Sequence, residues 1–383
     1  MSITRRQTLQ AGASLAALAG LGHSGMALAQ SGLPSTMVWS TYDVGSTGYV
    51  EASAIADAFG KKYGTRVRLQ PSGSAIGRIQ PVLRKRVPFG WLANEVFFAS
   101  EGLYEFCTPE WGPQDLRVLA GRVNSLSIVV TAASGIKTAA DLKGKRFAIA
   151  RSNTSVNAKV EPILAFGGLT WDDLDLVDVP SYGASGKALI EGRADAAGFA
   201  PAAAVLRELE ASPQGIGWIP MPPENKEGWA RAQRVVPFIE PYQEGLGAGL
   251  SAEHPVWMIG YRYPMITVPT DASADSTYAM LKAVAESFDL YKDAAPIMPR
   301  WDIKKSGTPP MDAPFHDGAI RYLKEIGLWN DQAQAWQDGM LKRHAALKAA
   351  WKAMMATPQA KGADGDGLRA LWDGERAKAL AAL

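Results

Sequence analysis

At 383 residues, with 47% apolar and 20% charged residues, the chain is longer than one ordinary core and too apolar to be largely disordered. Its 40 Lys and Arg stand against 38 Asp and Glu, a formal charge of +2, and Arg5 and Arg6 are the only charges in residues 1–29, so without that segment the balance is zero. A neutral body lacks the clustered positive surface that nucleic-acid binding needs, and no nucleic-acid partner is expected.

The first residues read as a signal peptide over 1–29. Arg5-Arg6 precede the weakly apolar "LQAGASLAALAGLG", and Ala27-Leu28-Ala29 supplies the small-x-small cleavage site. The stretch is too short and too weakly apolar for a bilayer span. Export to the periplasm is expected, and the Thr4-Arg5-Arg6 start leaves both the general and the twin-arginine routes open. Cys107 is the only cysteine, which excludes an internal disulfide, and it lies too far from the signal end to anchor a lipid.

Strand-like "MVWST" (Met37–Thr41) leads through "GSTG" into a helix carrying Tyr49, Ala52, Ile55, Ala56, Phe59 and Tyr63 and stopping at Gly64. "VRLQ" (Val67–Gln70) leads through "SGSA" into a second helix that must accommodate Pro81. "SLSIVVTAA" (Ser125–Ala133) predicts a buried strand, Thr138–Leu142 a short helix, and Arg146–Ala150 another strand, followed by "RSNTS" and a helix to Phe166. Thr170 and Asp173 have capping-box spacing, and "GKALIEGRADAAGFA" predicts a helix, a Gly192 stop and a strand over Ala194–Ala200. Trp218 to Gly249 is rich in Pro and Gly and has no clear period. "MITVPT" (Met265–Thr270) reads as a strand returning to the first domain, followed by helical Ser276–Tyr291. Trp336, Met340, His344, Leu347, Trp351 and Met354 form one apolar helical stripe, expected to pack on the body. Strands alternating with helices predict open α/β sheets.

Catalysis finds no positive sign. His254, His316 and His344 have no metal-ligand spacing, and a GxSxG elbow is absent. "GASGKA" (Gly183–Ala188) has Ser181 and Ala188 where a phosphate loop needs Gly and Ser/Thr, so it reads as a helix start. Cys107 reads as a small buried apolar residue. No cofactor and no metal are expected.

Three loops share one design: a strand, then Ser, Thr or Asn with small residues, then a helix. One such loop is an ordinary cap. Three at the carboxyl ends of strands, where free amide hydrogens and helix dipoles favour negative charge, point to an anion-binding cleft.

"GSTG", "SGSA", "SGIKTAADLKGKRFAIA", "ILAFGGLTWDDL" and "ALIEGRADAAGFA" together resemble the TAXI-type solute receptors of TRAP transporters, from about Trp39 to Phe199. "DLKGKR" is shared more widely among two-lobed periplasmic binding proteins. The resemblance implies an α/β fold of two-lobed, type II-like periplasmic-binding-protein architecture. Lobe I would comprise residues 33–133 and 255–330, lobe II 134–254, with a helical C-terminal extension over 331–383. It implies a small carboxylate ligand, an amino acid or oxo acid, delivered to the membrane permease subunits of a TRAP transporter. Carried over, the ligand contacts would be Gly45, Ser46, Thr47 and Gly48; Ser72, Gly73 and Ser74; and Asn153, Thr154 and Ser155. Arg151 departs from the family's small residue: it either clamps a carboxylate through two hydrogen bonds or pairs with an acid at the surface. Asp43 either meets an amino group or is a turn residue, and Phe89, Trp91, Trp257 and Tyr261 either wall a pocket or belong to cores. The competing readings are a receptor of an ATP-driven importer for a sulfonate or phosphonate, and an exported enzyme using the same cleft.

Overall fold

A computed structural model describes residues 32–236 and 239–383, so the expected signal peptide lies outside the described residues. The chain starts with β1 (Thr36–Thr41), α1 (Thr47–Tyr63), β2 (Arg66–Pro71), α2 (Ala75–Leu83), β3 (Phe89–Leu92) and α3 (Glu95–Glu101). Because each crossover is a helix, β1 pairs in parallel with β2 on one side and β3 on the other. The long strand β4 (Leu116–Val130) then carries the chain out of this first lobe.

The second lobe is built from β5 (Arg146–Ile149), α4 (Thr154–Phe166), β6 (Asp175–Asp178), α5 (Tyr182–Ile190), β7 (Ala196–Phe199), α6 (Val205–Ala211), β8 (Gly217–Trp218), α7 (Lys226–Val235) and β9 (Glu240–Glu244). Strand β10 (Val256–Pro269) returns antiparallel to β4, pairing β9 at its start and β3 near its end. The strand order is β2-β1-β3-β10-β4-β7-β5-β6. Thus β4 and β10 are the two connections between the lobes, and the register of their pairing slips between Arg262 and Met265. Such an irregularity bends and twists a strand pair locally. It places Tyr261 and Tyr263 at the bend.

Two cores follow. Trp39, Phe59, Trp91, Met280 and Trp301 fill the first lobe with α8 (Ala274–Glu286) and α9 (Asp317–Glu325) packed around it. Leu126, Phe147, Ile163, Ile219 and Met221 fill one face of the second, and Leu189, Phe199 and Leu206 the other. Phe89 and Trp91 are therefore core residues, while Trp257 is half-buried on β10. The architecture is α/β, as the alternating elements predicted, and two-lobed with a helical C-terminal region, as the resemblance implied.

Several elements differ from their expected form. The run Ser125–Ala133 overlaps only the end of a 15-residue strand that stops at Val130, with Ala132–Ser134 forming a 3-10 turn, and Met265–Thr270 overlaps the end of a 14-residue strand that stops at Pro269. The expected helix at Thr138–Leu142 is a 3-10 turn over Ala139–Leu142, closed by reciprocal bonds between Thr138 and Asp141; Thr170 and Asp173 close a similar turn. Reciprocal capping satisfies a single turn so fully that no further helix is needed. The Pro- and Gly-rich stretch holds β8, α7 and β9. Gly183–Ala188 lies inside α5, capped by the Ser181 hydroxyl.

The C-terminal helices α10 (Asp331–Met355) and α11 (Gly365–Ala381) pack on the first lobe around Cys107, Leu347, Met354, Leu368 and Trp372. Of the expected stripe, His344, Leu347 and Met354 are buried, and Trp336, Met340 and Trp351 are half-buried. Burial pushes the Cys107 thiol up to about 11. Among the described residues no helix is long and apolar enough to cross a membrane.

Candidate functional site

The three loops meet at one residue that composition and spacing did not single out: Tyr42, the first residue after β1. Its hydroxyl donates to Asn153 Oδ1 at 2.8 Å, joining the first loop to the third across the two lobes. The Arg78 guanidinium, from the helix after the second loop, lies 3.7 Å from the Tyr42 ring centroid. A cation on an aromatic face in a desolvated seam is favourable by about 2 kcal/mol. Arg78 also donates Nε to Glu95 Oε1 at 2.7 Å and Nη1 to the Ser72 carbonyl at 3.2 Å.

Each predicted residue can now be placed. Gly45 turns the chain at φ +84°, a left-handed conformation that favours glycine. Ser46 caps α1 by accepting from the Tyr49 amide at 3.2 Å, and Ser46 and Thr47 both line the seam. The Gly48 amide donates to Tyr263 Oη at 3.2 Å. Ser74 caps α2 through the Gly77 amide, Ser72 Oγ accepts from the Ser74 amide, and Gly73 lies against the Asp43 carboxylate. Asn153 sits at the cap position of α4 but does not cap it, because its oxygen is taken by Tyr42. Thr154 lies near Glu105 of the first lobe, whose buried Oε2 has no partner among the described residues, and Ser155 Oγ accepts from Lys159 Nζ at 3.2 Å. Arg151 pairs with Asp178 at 2.6 Å, both more than 60% exposed, which is the surface ion pair of its two readings.

Lys159 was missed. It is 2% exposed, and its ammonium donates to Asn94 Oδ1 at 2.6 Å and to the Ser155 carbonyl. Asn94 in turn donates Nδ2 to Asp312 Oδ2 at 2.5 Å. The amide thus separates a buried cation of the second lobe from a buried carboxylate of the first. Burial pulls Lys159 down to about 7, against the pull of Glu95 and Asp312, and burial pushes Asp312 up to about 7. Burial alone would raise Glu95, but Arg78 outweighs it and holds the carboxyl below its usual range.

Tyr42, Ser46, Thr47, Lys159, Tyr182 and Tyr263 surround a cavity of about 20 Å³, room for about one water. Just outside it, Gly45, Thr47, Ala202, Arg207, Gly247 and Pro296 line a larger space of about 160 Å³. Thr47 borders both. Two buried donors beside the seam, Asn153 Nδ2 and Arg78 Nη2, have no partner among the described residues, nor has the acceptor Glu95 Oε2. An orphaned buried donor costs about 1–3 kcal/mol, so such groups call for an explanation.

Helix α4 is one of the second lobe's contacts with the first, beside Glu244 of β9, which pairs with Arg300 at 2.6 Å, and Tyr182 of α5, whose ring packs on Tyr42. Besides Asn153 and Lys159, α4 carries Glu161, which accepts from Tyr104 Oη at 3.3 Å. The histidines lie elsewhere: His316 bonds Thr277 and the Gly318 amide, and His344 is buried in α10.

A methyl group on Gly48 would collide with Tyr263 Oη and Cζ. Gly48→Ala is therefore expected to displace Tyr263 and to destabilise the protein by about 1–3 kcal/mol. Urea unfolding checks this, a midpoint equal to that of the wild type being the contrary result.

A comparison against curated proteins finds no match. Among solved structures, a Bordetella bronchiseptica RB50 protein has 18% identity and a TM-score of 0.47, covering 76% of this chain and 89% of that one. The periplasmic aliphatic sulphonate binding protein SsuA of Escherichia coli has 16% identity and a TM-score of 0.42, covering 80% and 84%. An ancestral arginine-binding protein bound to arginine has 15% identity and a TM-score of 0.42, covering 68% and 96%. These likenesses are too distant to speak to ligand or partner. The family model of the NMT1-like family, by contrast, matches residues 40–327, the stretch that includes the second lobe, most of the first and every residue of the seam, and the chain belongs to that family.

Proposed function

We propose that this protein is a periplasmic receptor for a small organic anion, a carboxylate, amino acid or oxo acid, which it binds between its lobes and hands to the permease of a TRAP transporter. The carrying observation is the seam itself: loops distant in the chain converge on Tyr42, beside a buried lysine and two donors without partners. The geometry suits binding and release better than turnover, since among the described residues that line the cavity the titratable groups are Lys159 and the tyrosines.

A 20 Å³ cavity holds no carboxylate of several carbons, so the lobes part to admit one and close again on it. Opening separates α4 from Tyr42, Asn94 and Tyr104, and the bend in β4 and β10 is where the two connections can flex. A solute seated on Ser46 and Thr47 and facing Lys159 favours the closed form by what it gains there and nowhere else. The TRAP assignment rests on the motif resemblance, and the anion class rests on the donors.

Isothermal titration of protein lacking residues 1–29 against amino acids, oxo acids, dicarboxylates and alkanesulfonates tests the reading. One carboxylate class should bind stoichiometrically and raise the melting temperature. Tyr42→Phe, which removes the bond to Asn153, should weaken that binding by about 1–2 kcal/mol, as should Thr47→Ala. Sulfonate binding alone would favour an ATP-driven importer instead. No binding in any class, or unchanged affinity in both variants, would remove the seam as the site.

A further inference from the structure

A second cavity lies away from the seam. It measures about 520 Å³ and lies where α10 and α11 of the C-terminal region meet α3, the turn at Leu103–Cys107, and the end of α7 from the second lobe. That size is ordinary for a site binding a small molecule of ten to twenty heavy atoms.

Its wall carries two chemistries. Phe98, Leu103, Tyr104, Trp372 and Leu380 supply an apolar set, with Trp372 and Phe98 almost wholly buried and the Trp372 indole fixed by a bond to the Glu101 carbonyl at 2.8 Å. Arg234, Arg343, Arg369 and Arg376 supply a cationic set, with Asp373 the one acid among the lining residues. Glu101, fully buried behind them, accepts from Arg343 Nε at 2.6 Å and from Arg376 Nε at 2.8 Å. One carboxylate shared by two guanidinium groups leaves a surplus of one positive charge. Among the described residues Arg369 is paired only with the exposed Asp366, at 3.4 Å, and Arg234 is exposed. The lining as a whole combines a set of apolar side chains with a set of cationic ones, and Trp372 and Arg376 meet at Glu101.

Such an arrangement does not arise from packing the C-terminal helices alone. Packing would place the apolar residues in contact with one another, and Leu347, Met354 and Leu368 do that in the neighbouring cluster. Here instead four guanidinium groups border a space with aromatic walls. Guanidinium forks recognise carboxylate and sulfonate through two parallel hydrogen bonds, whereas a neutral head would leave the cationic charge unmatched.

The geometry points to a second binding site, distinct from the seam, for a monoanion with an apolar body, a medium-chain carboxylate being the simplest form. Its apolar chain lies on Phe98, Leu103 and Trp372 and its acid group on the arginines. Because Arg234 and Val235 belong to α7 while the other walls belong to the first lobe and the C-terminal helices, an occupant touches both lobes.

The test uses 8-anilinonaphthalene-1-sulfonate fluorescence on the folded protein lacking residues 1–29, with displacement by decanoate, decanesulfonate and decanol. Enhanced emission displaced by the two anions at least tenfold more effectively than by decanol is expected. The charge reversals Arg234→Glu and Arg369→Glu, both on exposed side chains outside the core, should weaken decanoate binding tenfold or more with unchanged melting temperature. Lys159→Met, in the seam, should leave decanoate binding as it was, whatever it does to the binding of small carboxylates. No displacement by millimolar decanoate overturns the proposal, as does displacement by decanol as effective as by decanoate. Loss of binding in Lys159→Met with retention in both arginine variants places the probe in the seam and overturns it too.

Discussion

Arg122→Met is expected to lower stability by about 3–5 kcal/mol, read as a fall in the urea midpoint at unchanged slope. Arg122 lies on β4, fully buried, and spends its donors on three partners. Nε donates to Glu51 Oε2 at 2.6 Å, Nη2 to Glu51 Oε1, and Nη1 to Asn124 Oδ1 at 2.8 Å and to the Val123 carbonyl at 3.0 Å. Glu51, on α1, is also fully buried and among the described residues otherwise accepts only from Trp301 Nε1, at 2.5 Å. Removing the guanidinium leaves a carboxylate in the core with a single indole donor, and desolvation of that charge is the source of the loss.

The same reasoning predicts that the double variant Glu51→Met/Arg122→Met recovers much of the stability, because no charge is then left unpaired. A cost below about 1 kcal/mol for Arg122→Met, against the usual burden of an unpaired buried charge, would show that the pair does not hold α1 to β4. The effect should reach the seam as well. Asn124 donates Nδ2 to Tyr261 Oη at 2.8 Å, and Tyr261 lies beneath Lys159, whose ammonium is 4.6 Å from its ring centroid.

This network also shows why the sequence was readable in part. The apolar runs of β1, β5 and β7 announce themselves, since most side chains in them are buried. In β4 the middle of the strand carries Arg122, Asn124, Ser125 and Ser127, all buried and all bonded, so the run looks polar and the strand seems to start at Ser125. Ser, Thr and Asn at helix entrances were visible because caps are local chemistry. Where a cap residue turns instead to the other lobe, as Asn153 does, nothing local records it.

The missed charges had a signal nonetheless. Glu51 falls four residues after Thr47 and four before Ile55, Arg78 three after Ala75 and four before Val82, and Lys159 four before Ile163. Each is thus a charge on the buried face of its helix. A charged side chain in that position is rarely buried without a partner or a task, so the helical period by itself could have marked all three. Tyr42 had no such mark, being one aromatic residue in a loop.

Lys159 has the larger consequence for function, because affinity for an anion in the seam should fall as pH rises through about 7. Its ammonium is held at about 7 by burial, with Glu95 and Asp312 pulling upward and Arg78 pushing downward. A bound anion beside it stabilises the protonated form and raises that value. Above about 7 the empty site has lost the proton and must take it up on binding, so affinity should drop by up to about tenfold per pH unit, one unit being worth about 1.4 kcal/mol. Asp312, also near 7, acts in the same direction, since protonating it below that point removes a negative charge from the far side of Asn94.

Lys159's contribution to the stability of the empty protein should move the other way. Its folded value lies below its ordinary 10.5, so the penalty for burying the cation is present below 7 and disappears as pH rises from about 7 toward 10.5. Asp312, whose folded value lies above its ordinary 3.8, stabilises the folded protein below that value and loses this contribution as pH rises through 7, so the two groups have separate windows. Above pH 7, falling affinity together with a rising melting temperature cannot come from general unfolding. Titration calorimetry in two buffers of different ionisation enthalpy at pH 8 should show proton uptake, and Lys159→Met should reduce it to the share left to Asp312 while weakening the binding of the anion at pH 6. Affinity that stays level from pH 6 to 9, with no proton uptake, would mean that the bound solute does not face Lys159.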